Sequence, residues 1–500
     1  MKYQITLLLS TFISLIQSEV LFVLEHFRHG ATGPSDLDSE GKDLMGNTWN
    51  KTEIDELTPI GVRMQYILGL YFADRYGHLF ADKYDPKTIY VSSVNDSKAI
   101  QSAIAHTSAF YFGEGKKLSN DTKEKAKPPV DDLNETKIED LKDEALPGYF
   151  QTIPIHLFHP YEHDFLLQEE DGDCSAVKEI RESNLETGVF NKIKDNFENK
   201  EYLNLSIWNN TKLINITNPL EKIRLICEDF FVNDANNGTF TLLKEAFKNN
   251  YTKFDDFNSS CKEALSAKLF NYIFNSEQIY FTYVTQSKQM RKMLDYMNKR
   301  RDEFITIKCL DEKEKPLDYT KPKIVIWSGL DSTVAGTQMF FNQLHKELNE
   351  LKNMEKITFE KDYNENITIY PTYASSIFIE LNWDENYKDN CSKEQMNETK
   401  EYDQFDKFFN VQYLINGISF ANYTYDNFKK AFERIVVDDD VIDNYCNFKL
   451  GTKNDGMFLI VCIVFVVFIL IGSLCSSMYF YNGIRKNEHR KSFVGPLHAV

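Results

Sequence analysis

The stretch VLFVLEHFRHG, residues 20–30, joins a strand-forming run to a cluster of residues that can bind an anion. Residues 20–27 are rich in β-branched and aromatic side chains and predict a strand, which Arg28, His29 and Gly30 follow. Ligand sites in open α/β sheets lie outside the carboxyl ends of strands. We therefore expect a functional site directly after this strand.

Predicted strands and helices alternate along the rest of the chain. The strands cover 87–92, 323–327, 376–383 and 408–415, and the helices cover 57–80, 99–110 and 332–353. Thr58 before Pro59 is typical of a helix start, with a capping side chain followed by proline at the first helical position. Asp331 lies in the loop after the strand over 323–327, so it marks a second strand end. The alternation predicts an α/β domain built on an open sheet.

The composition excludes several classes of protein. With 42% hydrophobic and 14% aromatic residues, the 500-residue chain can bury a large core, which excludes a mainly disordered protein. Its 57 Lys and Arg residues against 75 Asp and Glu residues give a net charge of −18, so we expect no nucleic acid partner. The mean hydropathy of −0.43 excludes a polytopic membrane protein but leaves room for one or two spans.

Both ends of the chain carry apolar segments that predict a secreted, membrane-anchored topology. Residues 1–18 are typical of a signal peptide, with an uncleaved anchor or a first core strand as the alternative. Residues 457–481 contain no formal charge and are long enough to span a bilayer, with a buried soluble helix as the alternative. The tail over 482–500 is basic, which fits the positive-inside rule. We expect a luminal or extracellular body on a single-pass type I anchor, in the lysosome or vacuole or at the cell surface.

Asparagine and cysteine usage agrees with the secretory route. The body holds fourteen N-x-S/T sequons, one of them at Asn95, and predicts a glycoprotein. Six cysteines in the body predict up to three disulfides, with all fifteen pairings open. They are Cys174, Cys227, Cys261, Cys309, Cys391 and Cys446.

The residue types after the first strand suit phosphate chemistry. The guanidinium group of Arg28 offers a fork of donors to two phosphate oxygens. The imidazole of His29 can attack phosphorus and form a phosphohistidine, and Gly30 lets the backbone approach an anion closely. A carboxylic acid on a neighbouring loop could protonate the leaving oxygen. The structural alternatives are a histidine hydrogen-bonded in the core and a glycine that only makes the turn.

Six segments in order along the chain resemble the histidine acid phosphatase family, whose signature is R-H-G-x-R-x-P. They are FVLEHFRHGATGP (22–34), ELTPIGVRMQY (56–66), IYVSSVNDSKAIQSA (89–103), QTIPIHLFHPYEHDFLL (151–167) before Cys174, IVIWSGLDSTVAG (324–336) and YPTYAS (370–375). The resemblance covers the body from residue 20 to residue 446. It implies a central mixed sheet flanked by helices, with a smaller, mainly helical domain inserted. We place the α/β domain in 19–115 and 301–449 and the loop and helical insertion in 116–300.

The resemblance also implies roles for single residues. His29 matches the family nucleophile, Asp331 the proton donor, and Arg28 and Lys98 two of the phosphate-binding positions. The family mechanism uses no metal ion and no organic cofactor.

Two family positions carry residues that cannot donate as the family residues do. Thr32 stands where the signature has its second arginine, and Leu330 stands where the family has a histidine before the aspartate. Lys98 replaces a third arginine with a point charge. Losing one donor aimed at developing charge typically costs about 10² to 10³ in turnover. We expect compensation, if any, from His26, His156 or Arg63.

These observations favour two functions. The first is a membrane-anchored phosphatase that hydrolyses phosphomonoesters through a phosphohistidine at His29. The alternative is a pseudophosphatase ectodomain that binds a phosphorylated small molecule or protein without turnover, because of Thr32 and Leu330. A glycosylated adhesion protein is a third alternative. We expect membrane attachment through the C-terminal helix, and the sequence leaves the oligomeric state open, with a homodimer as one alternative.

Overall fold

The computed structural model describes residues 18–111, 113, 115, 117–128, 135–157, 195, 197, 200–208, 211–248, 251–273, 279–309, 322–352, 370–384 and 402–447. The predicted signal peptide, apart from Ser18, and the predicted span over 457–481 lie outside these residues. Within these ranges, none of the helices is both long and apolar enough to cross a membrane.

The described strands form one mixed seven-stranded sheet in the order β3-β2-β4-β1-β5-β6-β7. The strands are β1 (Ser18–Arg28), β2 (Ile89–Ser93), β3 (Ile155–Leu157), β4 (Ile324–Gly329), β5 (Ser376–Asp384), β6 (Phe409–Ile415) and β7 (Ile418–Thr424). Strands β1 to β4 are parallel to their neighbours in this group, whereas β5, β6 and β7 are antiparallel to theirs. The predicted mixed sheet is therefore confirmed.

Helices cover both faces of this sheet. The described α-helices are α1 (Pro59–Tyr76), α2 (Ser97–Thr107), α3 (Asn120–Lys125), α4 (Glu135–Glu139), α5 (Pro219–Ala235), α6 (Thr241–Ala246), α7 (Tyr251–Ile273), α8 (Ile279–Cys309), α9 (Asp331–Lys352), α10 (Tyr425–Ile435) and α11 (Asp439–Asn447). Short 3₁₀ helices cover Lys51–Glu53, Gly77–Leu79, Pro147–Tyr149, Glu201–Asn204, Ser206–Trp208, Lys212–Asn215 and Tyr402–Phe408.

Strand β1 lies in the centre of the core because its side chains alternate between two buried layers. Phe22 and Leu24 point into a cluster built with α8, α9 and α10. Val23 and Phe27 point into the opposite cluster, which α1 and α2 cover. Because both faces of β1 are buried, the residues 20–27 that predict this strand form a mainly apolar run and do not alternate between apolar and polar side chains.

The helical part over 195–273 packs around a third cluster of buried side chains, including Trp208, Phe230 and Phe257. A disulfide between Cys227 in α5 and Cys261 in α7 crosses this cluster. This pair fixes one of the pairings that the sequence leaves open. The predicted domain division at 116 and 300 remains a prediction.

Several element ends differ from those that the sequence predicts. Helix α1 ends at Tyr76 rather than at residue 80, because the chain tightens there into the 3₁₀ helix Gly77–Leu79. The short helices α3 and α4 lie near the start of the predicted loop and helical insertion over 116–300. The segment after β6 forms β7, since Asn416 and Gly417, both with positive φ, turn the chain back.

Helix α1 packs on the loop after β1 through two glycines. The Thr58 hydroxyl accepts a hydrogen bond from the Gly61 amide at 3.2 Å, which caps the helix as the sequence predicts. A side-chain carbon on Gly30 would lie 2.2 Å from the Gly61 carbonyl oxygen, and one on Gly61 would lie 2.1 Å from the Ala31 carbonyl oxygen. The two backbones therefore touch where only glycine fits.

Replacing Gly61 by alanine should destabilise the protein because the added methyl group collides with this backbone. We expect a loss of about 1–3 kcal/mol in the free energy of unfolding, as for other overpacked sites. Gly77→Ala is the matched control, since Gly77 follows the same helix with helical backbone angles and open space around it. Thermal unfolding measures both variants, and an equal loss in the two would contradict the packing argument.

Candidate active site

Three chain segments meet at the carboxyl end of β1. Arg28 pairs with Gly329 at the end of the parallel strand β4, and Phe27 pairs with Ser376 at the start of the antiparallel strand β5. The amide of His29 donates to the Gly329 carbonyl at 3.0 Å, and the His29 carbonyl accepts from the Ala374 amide at 3.1 Å. The backbone carrying Arg28 and His29 is thus fixed between two other segments.

Helices α1 and α2 support the same backbone from the other side. The buried side chain of Gln65 in α1 donates from Nε2 to the Arg28 carbonyl at 2.7 Å. The Ser102 hydroxyl in α2 accepts from the Gly30 amide at 3.1 Å. Side chains from two helices thus hold the backbone of the loop that follows β1.

His29 is held in the tautomer that a nucleophile requires. Its Nδ1 lies 2.8 Å from the Gly30 carbonyl oxygen, which can only accept, so Nδ1 carries the proton and Nε2 the lone pair. Burial, reinforced by the charge of Arg28, lowers the pKa of His29 to about 3. The imidazole is therefore neutral and can attack through Nε2.

Arg28 is a buried cation packed between two tyrosines. Its guanidinium carbon lies 4.3 Å from the Tyr373 ring centroid and 5.0 Å from that of Tyr370. Nη1 donates to the Pro371 carbonyl at 2.7 Å and to the Tyr370 hydroxyl at 3.0 Å. Among the described residues, the buried Nε of Arg28 has no hydrogen-bond partner. A buried donor of this kind can be satisfied by a bound anion.

Asp331 lies beside Arg28 as the first residue of α9. One carboxylate oxygen, Oδ2, lies 3.6 Å from Arg28 Nη2, and the other, Oδ1, accepts from the Ser332 amide at 2.9 Å. The side chain is 15% exposed, so it borders the site without being sealed in the core. The two strand ends that the sequence singles out, after β1 and after β4, thus come together.

Lys98 faces carboxylates in this structure. Its Nζ lies 3.1 Å from both carboxylate oxygens of Asp55 and 3.0 Å from Oδ2 of Asp96. Its charge still contributes to the lowered pKa of His29. Its role in phosphate binding remains a prediction, because the ammonium group already has two anionic partners.

The two degenerate positions have different surroundings. The Thr32 hydroxyl lies 3.4 Å from the Tyr373 hydroxyl at the edge of the site. Leu330 is 5% exposed and belongs to the cluster beneath α9, with Trp327 and Val334. The leucine is therefore a core residue, whereas the threonine keeps a polar group next to Arg28 and its tyrosines.

The three residues considered for compensation are engaged elsewhere. His26 Nδ1 lies 2.8 Å from the Thr337 hydroxyl in α9. The His156 ring stacks on Tyr90, and Arg63 is exposed on α1. Tyr370 and Tyr373 instead surround Arg28. Their segment, residues 370–375, carries part of the family resemblance, but the sequence predicts no role for either tyrosine, since only the pairing of β1 with β5 places them beside Arg28.

The chain matches a family model described as the histidine phosphatase superfamily (branch 2) over residues 32–416. It is 27% identical to prostatic acid phosphatase of Mus musculus over 174 residues, which is 35% of this chain and 38% of that protein. It is 24% identical to prostatic acid phosphatase of Homo sapiens over 179 residues, 36% of this chain and 39% of that protein. The matched region thus spans less than half the length of these relatives.

Two solved structures of proteins from other organisms align with most of this chain. The Hafnia alvei phytase in complex with tartrate aligns with a TM-score of 0.47 and 12% identity over 86% of this chain and 99% of the phytase. The multiple inositol polyphosphate phosphatase of Bifidobacterium longum in complex with phosphate aligns with a TM-score of 0.39 and 12% identity, over 81% of this chain and 88% of that chain.

Burial of His26 should make the protein less stable in acid. Burial lowers the pKa of His26 to about 3, below its ordinary value of 6.5. Between these two pH values, the unfolded chain therefore binds a proton at this residue more readily than the folded protein does. The free energy of unfolding then falls by about 1.4 kcal/mol for each pH unit below the unfolded pKa. Thermal unfolding of a His26→Gln variant should show a shallower loss between neutral and mildly acidic pH.

His78→Gln is the control for this experiment because His78 is exposed. Burial raises the pKa of Glu25, which acts in the opposite direction, but Glu25 is the same in all three proteins. The explanation fails if the pH dependence of stability in His26→Gln equals that of the wild type.

Proposed function

The chain belongs to the histidine phosphatase superfamily (branch 2), and on that premise we propose that it hydrolyses phosphomonoesters through a phosphohistidine at His29. The observation that carries the proposal is the neutral imidazole of His29, with its lone pair on Nε2, beside Arg28 and Asp331. The names of the curated relatives, which are acid phosphatases, support the same reaction.

In the first step, Nε2 of His29 attacks phosphorus and the ester P–O bond breaks. Asp331, in its protonated form, gives its proton to the leaving oxygen. The hydrogen bond from Nδ1 to the Gly30 carbonyl stabilises the positive charge that the imidazole acquires. Arg28 holds the phosphoryl oxygens through the donors that its protein partners leave available, Nε among them.

In the second step, a water molecule attacks phosphorus and the P–N bond breaks. The Asp331 carboxylate takes the proton from this water, so the aspartate returns to its protonated form as inorganic phosphate leaves. The position of Asp331 at the N-terminus of α9, 3.6 Å from Arg28, keeps the carboxylate stable between the two steps.

The cellular setting is part of the proposal. The signal peptide over 1–18, the span over 457–481 and the sequons support a glycosylated luminal or extracellular body anchored by one helix. The substrate is a phosphorylated small molecule or protein that reaches this compartment.

A second candidate function is binding of a phosphorylated ligand without turnover. Leu330 packs into the core and offers no donor, and Lys98 is held by Asp55 and Asp96. The loss of the two family donors at positions 32 and 330, where Thr32 and Leu330 stand, would together lower turnover by about 10⁴ to 10⁶ if the two effects multiply. These observations favour a pseudophosphatase if no hydrolysis is measured.

Hydrolysis of an aryl phosphate by the full-length protein in detergent tests the first candidate. In mildly acidic buffer we expect turnover in the wild type and its loss in His29→Ala, because that variant lacks the nucleophile. Rapid quenching with a radiolabelled substrate should trap phosphohistidine in the wild type alone. His156→Ala removes an exposed histidine and should behave as the wild type. Equal turnover in the wild type and His29→Ala would rule out the proposed mechanism.

The double variant Thr32→Arg with Leu330→His tests the second candidate. If the wild type shows no turnover because it lacks donors at these two positions, each restored donor should raise turnover by about 10² to 10³. Because position 330 is buried, thermal unfolding must first establish that the variant folds. Thr372→Arg, on an exposed residue, controls for added positive charge. A double variant that folds but shows no turnover would contradict the explanation that Thr32 and Leu330 cause the lack of activity.

A further inference from the structure

We propose that the hydroxyl groups of Thr32 and Tyr373 bind a protonated phosphoryl oxygen, so that the site prefers a monoanionic phosphate group over a dianionic one. This inference rests on the proposed phosphate site at His29 and adds the charge state of the ligand that the site selects.

The two hydroxyl groups belong to residues that adjoin Arg28 and His29. Their oxygen atoms are 3.4 Å apart, and either can be the donor. The Tyr373 ring covers the Arg28 guanidinium at 4.3 Å, and its centroid lies 5.7 Å from that of the His29 ring. Tyr373 therefore adjoins both the cation and the proposed nucleophile, and Thr32 adjoins Tyr373.

A hydroxyl group and a guanidinium group make different demands on a phosphate. Arginine can only donate hydrogen bonds, so it matches oxygen atoms that only accept, as in a dianionic phosphoryl group. A monoanionic phosphoryl group carries one P–OH, whose proton needs an acceptor. Thr32 and Tyr373 can accept this proton, whereas the arginine that the family signature has at position 32 cannot.

The charges around the pair point in the same direction. Lys98 lies 3.0 Å from Asp96 and 3.1 Å from Asp55. A second negative charge on the ligand would therefore gain little from Lys98, because two carboxylates already offset the charge of this cation.

The titratable or charged groups that face the pair come from several elements. Arg28, Asp331 and Glu228 act on the Tyr373 hydroxyl, whose pKa is raised first of all by burial, and His29 and Tyr370 complete its surroundings. Glu228 is paired with Arg224 at 2.6 Å. Since some of these groups titrate with pH, the test needs probes whose own charge stays fixed.

Three anions separate ligand charge from protein titration. Sulfate is a dianion and methyl sulfate a monoanion throughout the working range, whereas methylphosphonate loses its second proton between about pH 5 and about pH 8, as other phosphoryl groups do in this range. Dissociation constants are measured by isothermal titration calorimetry on the full-length protein in detergent, and turnover of an aryl phosphate is measured on the same samples.

As the pH is raised, we expect the dissociation constant of methylphosphonate for the wild type to increase by about tenfold more than that of sulfate. A factor of this size corresponds to one charge-assisted hydrogen bond. Methyl sulfate, which lacks an acidic proton, reports the effect of charge alone. In Thr32→Val and in Tyr373→Phe, the dissociation constants of methylphosphonate and sulfate should change equally with pH. In Thr32→Arg, methylphosphonate should bind more tightly as the dianion than as the monoanion. Thr372→Val removes an exposed hydroxyl group from the same loop as Tyr373 and should keep the preference.

Two results would overturn the inference. The first is a wild-type protein in which methylphosphonate and sulfate respond equally to pH. The second is a preference that persists in both Thr32→Val and Tyr373→Phe. Anion binding or turnover without the preference overturns this inference alone, whereas a wild type that binds none of the three anions and shows no turnover overturns the proposed function as well.

Discussion

Pairing of β1 on both edges is the interaction on which the rest of this structure depends. The strand is parallel to β4 and antiparallel to β5, and both of its faces are buried. Because a parallel neighbour ends where β1 ends and an antiparallel neighbour begins there, three chain segments deliver side chains to one point. Arg28, Asp331 and Tyr373 come from these three segments, and Asp331 and Tyr373 follow Arg28 by 303 and 345 residues in the sequence.

The electrostatics of the site follow from that burial. A histidine removed from water beside a buried arginine loses its affinity for a proton, so His29 is neutral even in acid. A hydrogen bond to the neighbouring carbonyl then decides which nitrogen keeps the remaining proton. Arg28 itself is tolerated because two aromatic faces, a carbonyl and a carboxylate surround it. Each charged group at this strand end is thus balanced by a neighbour that the sheet pairing supplies.

The sequence predicted the strands and helices that carry the site better than the side chains that surround it. Periodicity and strand ends are local properties, and they located β1, β4, the cap of α1 and the convergence of Arg28 and His29 with Asp331. The partners of Lys98 depend on how the loop before α1 folds back, and the tyrosines around Arg28 depend on the register of β5. The sequence also leaves the position of the His26 ring open, and the ring lies on the face of β1 that packs against α9. Such details depend on contacts between distant segments, which spacing alone does not encode.

The disulfide between Cys227 and Cys261 has a consequence for the site, although no cysteine lies in it. The bond ties α5 to α7, and Asn236, which follows α5 directly, donates a hydrogen bond to the Thr32 carbonyl at 2.9 Å. Oxidation in the helical part therefore helps to hold the loop next to His29 in place. Recombinant material produced in a reducing cytosol would lack this tether, so measurements on a preparation from such a host would say little about the oxidised protein.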